Sequence, residues 1–259
     1  MDTAEVLALY DHQMRHSAVA DPGARIDRAD GVVRQYGPAV WTGILWSDLD
    51  ETTADAAIGA QIQFFEGGDF EWKLYAHDRP ADLGERLRRA GFVPEESEAL
   101  MVAAVSELPA EAPLPDGVSV RPVVDEQGVD LMVTAHERAF GADGTRLRQR
   151  LISQLERAPE STEMLVAMAG DTPVCGARMD LHPGTDFASL WGGGTLPAWR
   201  GRGVFRSLVA HRAALASARG FRYLQVDASP DSRPILQRLG FVELATTTPF
   251  MHPGAAGTR

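Results

Sequence analysis

The sequence predicts a mixed α/β protein built from two units, and three observations carry the prediction. Short apolar strands alternate with segments of helical periodicity along most of the chain. Residues 106–117 hold three prolines, two acids and a closing Asp116-Gly117, a composition that sustains neither a helix nor a central strand. The order strand, helix, strand, helix, Gly-Phe, strand occurs on both sides of that stretch, which points to an internal duplication. The expected division is therefore a first domain at 1–105, a linker at 106–117 and a second domain at 118–259.

The elements follow in order. In the first unit a strand is expected at 40–46, a helix at about 53–65, and a strand beginning at Trp72 that feeds a second helix. That helix ends Leu87-Arg88-Arg89-Ala90-Gly91-Phe92-Val93, and the later one ends Leu236-Gln237-Arg238-Leu239-Gly240-Phe241-Val242. Glycine after a helix, followed by a buried hydrophobe, is a common C-terminal cap, so the likeness has a local cause as well as an ancestral one. In the second unit 118–122 alternates as a strand, and 125–140 and 145–158 have helical spacing, the latter with Leu147, Leu151 and Ile152 on one stripe. Strands at 164–168 and 174–181 flank the turn Gly170-Asp171-Thr172-Pro173. A strand at 187–196 carries Gly192, Gly193 and Gly194; a helix at 204–219 ends at Gly220; strands at 223–228 and from 241 onward complete the unit.

Composition narrows the function classes. The net charge of -11 is uneven, with 22 acidic against 9 basic residues up to Asp116 and 14 against 16 beyond it. The first unit should repel nucleic acid and anionic membranes, so neither is an expected partner. No apolar run approaches the roughly 18–20 residues of a membrane helix. The N-terminus has no basic-then-apolar signal pattern, and the single cysteine, Cys175, forms no internal disulfide; the expected compartment is the cytoplasm.

The informative segment is Trp191-Gly192-Gly193-Gly194-Thr195-Leu196-Pro197-Ala198-Trp199-Arg200-Gly201-Arg202-Gly203-Val204-Phe205-Arg206. A strand ends, a proline turns the chain, and a glycine-rich loop opens into a helix. The first N–H groups of that helix lack intrahelical partners, and the helix dipole adds partial positive charge. Gly201 and Gly203 remove side chains that would hold an anion away, while Arg200, Arg202 and Arg206 supply charge, so a phosphate or diphosphate is the expected guest. A nucleotide-hydrolysing loop needs Lys-Ser/Thr after its last glycine, where this chain has Val204-Phe205. A dinucleotide fingerprint needs a third glycine, where it has Arg206.

The run from Pro197 through Arg200-Gly-x-Gly203, then a helix, a strand and a helix ending Leu-Gly-Phe, resembles the GCN5-related N-acetyltransferase superfamily over residues 118–252. The superfamily's loop signature matches at Arg200 and Gly203 and departs at its sixth position, which here is Phe205. The resemblance implies a mostly antiparallel central sheet flanked by helices, with a related, degenerate first half. It implies transfer of an acetyl group from acetyl-CoA directly to an amine of a small molecule or peptide, with no metal. Coenzyme binding would fall to Gly194, Thr195, Leu196, Arg200, Gly201, Arg202, Gly203, Val204, Phe205 and Arg206. The three glycines either let the coenzyme approach a strand surface or mark a bulge; both readings stand.

Proton-transfer groups are less legible. The superfamily's usual donor, a tyrosine four residues before the glycine of Leu-Gly-Phe, is replaced by Leu236. Ser229 and Ser232 lie nearby, although a serine before a helix is most often an N-cap. Asp180, with His182 and Asp186, offers a base in a hairpin whose residues equally suit a plain turn. Backbone N–H near Leu196 is a candidate for polarising the thioester carbonyl. His136-Glu137 lacks the second histidine of a zinc helix, and Cys175 reads as core. In the first unit the corresponding turn, Ser47-Asp48-Leu49-Asp50-Glu51-Thr52, carries three carboxylates hostile to a diphosphate. That unit is expected to shield the active half, shape an acceptor cleft or form a homodimer. The absent tyrosine keeps a second function open, that of a coenzyme A-binding protein without catalysis.

Overall fold

The computed structural model describes residues 1–38 and 40–254. Helix α1 (Thr3–Tyr10) starts where Asp2 accepts the N–H groups of Ala4 and Glu5, and continues as a π-helical turn, Asp11–His16. A hairpin, β1 (Arg25–Ala29) and β2 (Val32–Tyr36), turns at Asp30-Gly31, both with positive φ. Strand β3 (Gly43–Ser47), helix α2 (Ala54–Phe64), strand β4 (Phe70–Tyr75) and helix α3 (Leu83–Arg89) follow, then the short β5 (Val93–Pro94) and β6 (Glu98–Ala104). Beyond the linker come β7 (Val118–Pro122), α4 (Glu126–Phe140), α5 (Thr145–Arg157), β8 (Thr162–Ala169), β9 (Thr172–Leu181) and β10 (Phe187–Thr195). The chain closes with α6 (Val204–Ala218), β11 (Tyr223–Ala228), α7 (Arg233–Arg238) and β12 (Val242–His252).

Contacts divide the chain into two compact units. The first holds residues 1–101, 227–237 and 242–259; the second holds 102–226 and 238–241. Strand β12 pairs antiparallel with β4 over six residues, Thr247–His252 against Tyr75–Phe70. A strand at the end of the chain thereby completes the sheet of the first unit. No sequence signal specifies such a long-range pairing.

In the first unit β3 pairs parallel with β4, and β1, β2 and β3 extend the sheet antiparallel. Helices α2 and α3 cover it through Ala54, Ile58, Leu83 and Leu87, which meet Ile44, Phe70, Trp72, Phe92 and Phe250 in one core. Gly91, with φ of 95°, caps α3, and Phe92 then donates to Leu87 O at 3.0 Å.

In the second unit β7, β8, β9 and β10 are antiparallel neighbours, and β11 joins β10 in parallel. Helix α4 lays Val129, Met132 and Val133 on Met164, Val166 and Met168 of β8, with Leu151 of α5 beside them. The opposite face of the same strands, Leu165, Ala167, Val174 and Ala177, packs against Val204 and Leu208 of α6. Cys175 lies in this face, fully buried, and burial raises its thiol pKa, which fits the expected core role. Both units thus contain a parallel strand-helix-strand passage, β3-α2-β4 and β10-α6-β11, each followed by a helix and a Gly-Phe step.

Candidate functional site

The glycine-rich segment folds as a bulged strand end, a single 3-10 turn and a helix start. β10 pairs regularly with β9 down to Gly192 opposite Ala177, then slips in register before Thr195 opposite Cys175. Gly192 and Gly193 have φ of 72° and 85°, which a side chain tolerates poorly. The protein's own side chains approach two of these glycines closely. A Cβ on Gly193 would lie 2.6 Å from the Phe205 ring, and one on Gly194 would lie 2.3 Å from the Phe140 ring. The glycines make a bulge and seat two aromatic rings.

Pro197–Trp199 then turns the chain, and α6 begins. Gly201 and Gly203 both take left-handed backbone angles, φ of 72° and 91°, and a Cβ on Gly201 would meet open space. The first carbonyl of the helix register, Gly203 O, receives Ser207 N–H at 2.9 Å. By helix geometry the amides of Val204, Phe205 and Arg206 are therefore left facing out of the helix end. Val204 itself is buried in the core, so only its backbone belongs to the site.

The three arginines divide by role. Arg200 donates through Nε to Thr195 O at 3.0 Å and through Nη2 to Ala139 O at 3.3 Å, which ties the end of β10 to α4. Arg202 stacks over the Trp199 ring at 4.9 Å. Among the described residues neither these two nor Arg206 forms an ion pair with a carboxylate, and all three are exposed. Positive charge at the helix start is thus not neutralised by the protein's own acids. The residues fit a diphosphate.

The parallel pairing of β10 and β11 covers only Phe187–Ser189 against Tyr223–Gln225. Beyond it β10 runs on for six residues, the arrangement expected of strands that part. Leu196 does not have a free amide here, because its N–H donates to Val174 O at 2.9 Å. That amide is taken out of the candidates for polarising a carbonyl. Thr195 is likewise engaged, its hydroxyl donating to Cys175 Sγ at 3.3 Å.

The candidate proton-transfer residues turn out to be held by structural bonds. Ser232 donates its N–H and its hydroxyl to Ser229 O, at 3.1 and 3.2 Å, and the two hydroxyls lie 3.2 Å apart. The pair forms the turn that leads into α7. Asp180 accepts from Thr162 Oγ1 at 3.1 Å and pairs with Arg178 Nε at 3.1 Å, so it anchors β8 to β9. His182 Nε2 is 2.7 Å from Ser189 Oγ, and Asp186 lies 3.5 Å from Arg222. Leu236, at the position expected for tyrosine, is 1% exposed.

The corresponding helix start in the first unit is closed. Asp50 Oδ1 accepts the N–H groups of Thr52 and Thr53 at 2.8 and 2.9 Å, together with both hydroxyls. These bonds, led by that from the Thr52 hydroxyl, lower its pKa to about 2. A carboxylate of the chain binds the amides just before α2, and its charge disfavours an anion there. Sequence reasoning missed a different feature of this unit, a set of titratable side chains around Lys73 and Asp227, 154 positions apart. The one available signal was that Lys73 is the only lysine in the sequence.

Residues 129–241 match the sequence model described as the acetyltransferase (GNAT) family. Among solved structures the chain is similar to a GCN5-related N-acetyltransferase from Kribbella flavida, with TM-score 0.68 and 17% identity over 99% of this chain and 97% of that one. It is also similar to a GCN5-related N-acetyltransferase from Sphaerobacter thermophilus, with TM-score 0.59 and 17% identity over 97% and 86% of the two chains. A tandem GNAT protein from the clavulanic acid biosynthesis pathway aligns with TM-score 0.60 and 10% identity over 90% and 84%. These structural likenesses speak for the fold. No curated protein sequence matches.

Proposed function

Residues 129–241 match the model of the acetyltransferase (GNAT) family, and from that match we propose that the protein transfers an acetyl group from acetyl-CoA to an amine of a small molecule or peptide. The observation that carries the reading is the start of α6, where outward-facing amides from Val204 to Arg206 lie beside three arginines unpaired with acids. Acetyl-CoA supplies an activated thioester and a diphosphate. The chain's own contribution is to hold that diphosphate: amides at the helix start accept the charge, Arg202 and Arg206 screen it, and Arg200 keeps β10 and α4 in place. Gly201 leaves the approach open.

The proposed organisation is a working second half and a first half that has lost its coenzyme cradle. Asp50 supports this, because it places a carboxylate on the amides of Thr52 and Thr53 just before α2, where the other half has Gly201 and Gly203. No group of three or more His, Cys, Asp or Glu side chains among the described residues is placed to hold a metal ion. No described helix is long and apolar enough to cross a membrane. With a net charge of -11 the protein is not expected to seek nucleic acid.

One observation favours a second reading, coenzyme A binding without catalysis. Leu236 stands buried in the tyrosine's place, and Ser229, Ser232 and Asp180 are committed elsewhere. Release of free thiol from acetyl-CoA with a panel of primary amines separates the two. Amine-dependent release that disappears in Arg202→Glu supports the transferase. Tight coenzyme binding with no amine-dependent release supports the binding protein.

A further inference from the structure

The first unit holds a buried polar cluster that the coenzyme loop does not use. Lys73 of β4 forms an ion pair with Asp227 through Oδ2. The Asp227 side chain is 3% exposed, and its second oxygen, Oδ1, is buried with no hydrogen-bond partner. A carboxylate oxygen removed from water and left without a donor is costly, so its persistence points to a missing partner. Glu71 accepts from Trp41 Nε1 at 2.6 Å; the charges of Asp227 and Glu95 act on Glu71, and those of Asp227, Glu71 and Glu95 act on Glu98. Lys73 is a basic group acting on Glu98. Beside it the hydroxyls of Tyr10 and Tyr75 meet at 3.0 Å, both rings buried.

We propose that Asp227, Glu98 and Glu71 form a binding site in the first unit for a ligand carrying a primary ammonium group. Asp227, Glu71 and Glu98 bring more negative charge to this cluster than Lys73 offsets, and a bound cation balances it. A primary ammonium brings three N–H donors in a compact head, one of which suits Asp227 Oδ1. A metal ion is a poorer fit, because these carboxylates do not come together as a metal-holding group. Glu71 and Glu98 are only half-buried, so the cluster has an open side. Burial, and next to it the charge of Asp227, pushes the Glu98 pKa up to about 7, which a cation in the site would reverse. The site is argued from the first unit alone. It stands whether or not the second unit binds coenzyme A, and the transferase reading adds only a reason for the protein to admit an amine.

Calorimetric titration of the full chain with n-butylammonium chloride, near neutral pH and at constant ionic strength, tests the site. The wild type should bind with a dissociation constant in the range of about a millimolar, while tetramethylammonium, which has no N–H donor, should give dilution heat only. Glu98→Gln and Asp227→Asn should each weaken binding by about tenfold or more. Glu98→Gln leaves the Lys73–Asp227 pair intact and decides the matter if Asp227→Asn fails to fold by circular dichroism. Equal heats for the two ammonium ions, or unchanged affinity in folded Glu98→Gln, would overturn the proposal. Coenzyme A titrated into the same samples reports on the second unit separately: its loss there, with butylammonium binding kept, sinks the transferase and spares this site.

Discussion

Gly193 and Phe205 fit each other: a side chain on the glycine would begin 2.6 Å from ring carbon Cε2 of the phenylalanine. Phe205 is the position at which the loop departs from the superfamily signature, and a glycine on β10 accommodates the departure. Gly193→Ala should destabilise the protein by about 2 kcal/mol, combining left-handed backbone strain with overpacking. Urea unfolding measures it. Adding Phe205→Ala should recover part of the loss, and no recovery would mean that strain at φ of 85° is the whole effect.

Arg200 reaches two backbone carbonyls, Thr195 O and Ala139 O, which no shorter side chain spans. Arg200→Ala should cost about 1 kcal/mol of stability and loosen the bulged end of β10. Hydrogen exchange at Thr195 and Leu196 should quicken. Unchanged exchange there would assign Arg200 to charge alone.

The Lys73–Asp227 pair is buried and has one oxygen already without a donor. Burial works most strongly against the Lys73 charge, but Asp227, Tyr10 and Glu71 together outweigh it and hold the ammonium pKa above its ordinary value. Removing the lysine strands a buried carboxylate, so Lys73→Met should lower unfolding free energy by about 3–5 kcal/mol. The double variant Lys73→Met, Asp227→Leu should recover most of it. A double variant no better than the single would show that packing, not charge, is at stake.

Glu98 gives a pH signature. Its folded pKa, pushed up to about 7 from the usual 4.5, means that the folded state holds a proton the unfolded chain has released. Stability contributed by that proton is present at low pH and is lost as pH rises from about 4.5 through about 7. Glu98→Gln has nothing to lose over this window. Its thermal midpoint should therefore gain on the wild type between pH 5 and pH 8, and parallel midpoints would refute the assignment.

Much of the second unit was legible because its signals are local. The predicted strands at 118–122 and 223–228 are observed with the same bounds, and Asp125 caps α4 where the helical spacing begins. The glycine loop could be read because backbone conformation and charge sit within a few residues of each other. What escaped was long-range or used unheeded turn chemistry. The Asp30-Gly31 hairpin had a sequence signature that went unused, and the π-helical turn places Arg15 against Asp78, 63 positions away, beyond any periodicity. The pairing of β12 with β4 and the ion pair of Lys73 with Asp227 depend on a fold that returns the end of the chain to its beginning. The hydrogen bonds of Ser229, Ser232 and Asp180 are visible only in the fold.

The grip of the α6 start on a diphosphate is most directly tested by calorimetric titration of coenzyme A into the intact protein, alongside Arg202→Glu. The wild type should bind with a dissociation constant of roughly micromolar size, weakening with added salt, and folded Arg202→Glu should lose about tenfold or more. Dilution heat alone from the folded wild type, or equal affinity in both proteins, would contradict the account.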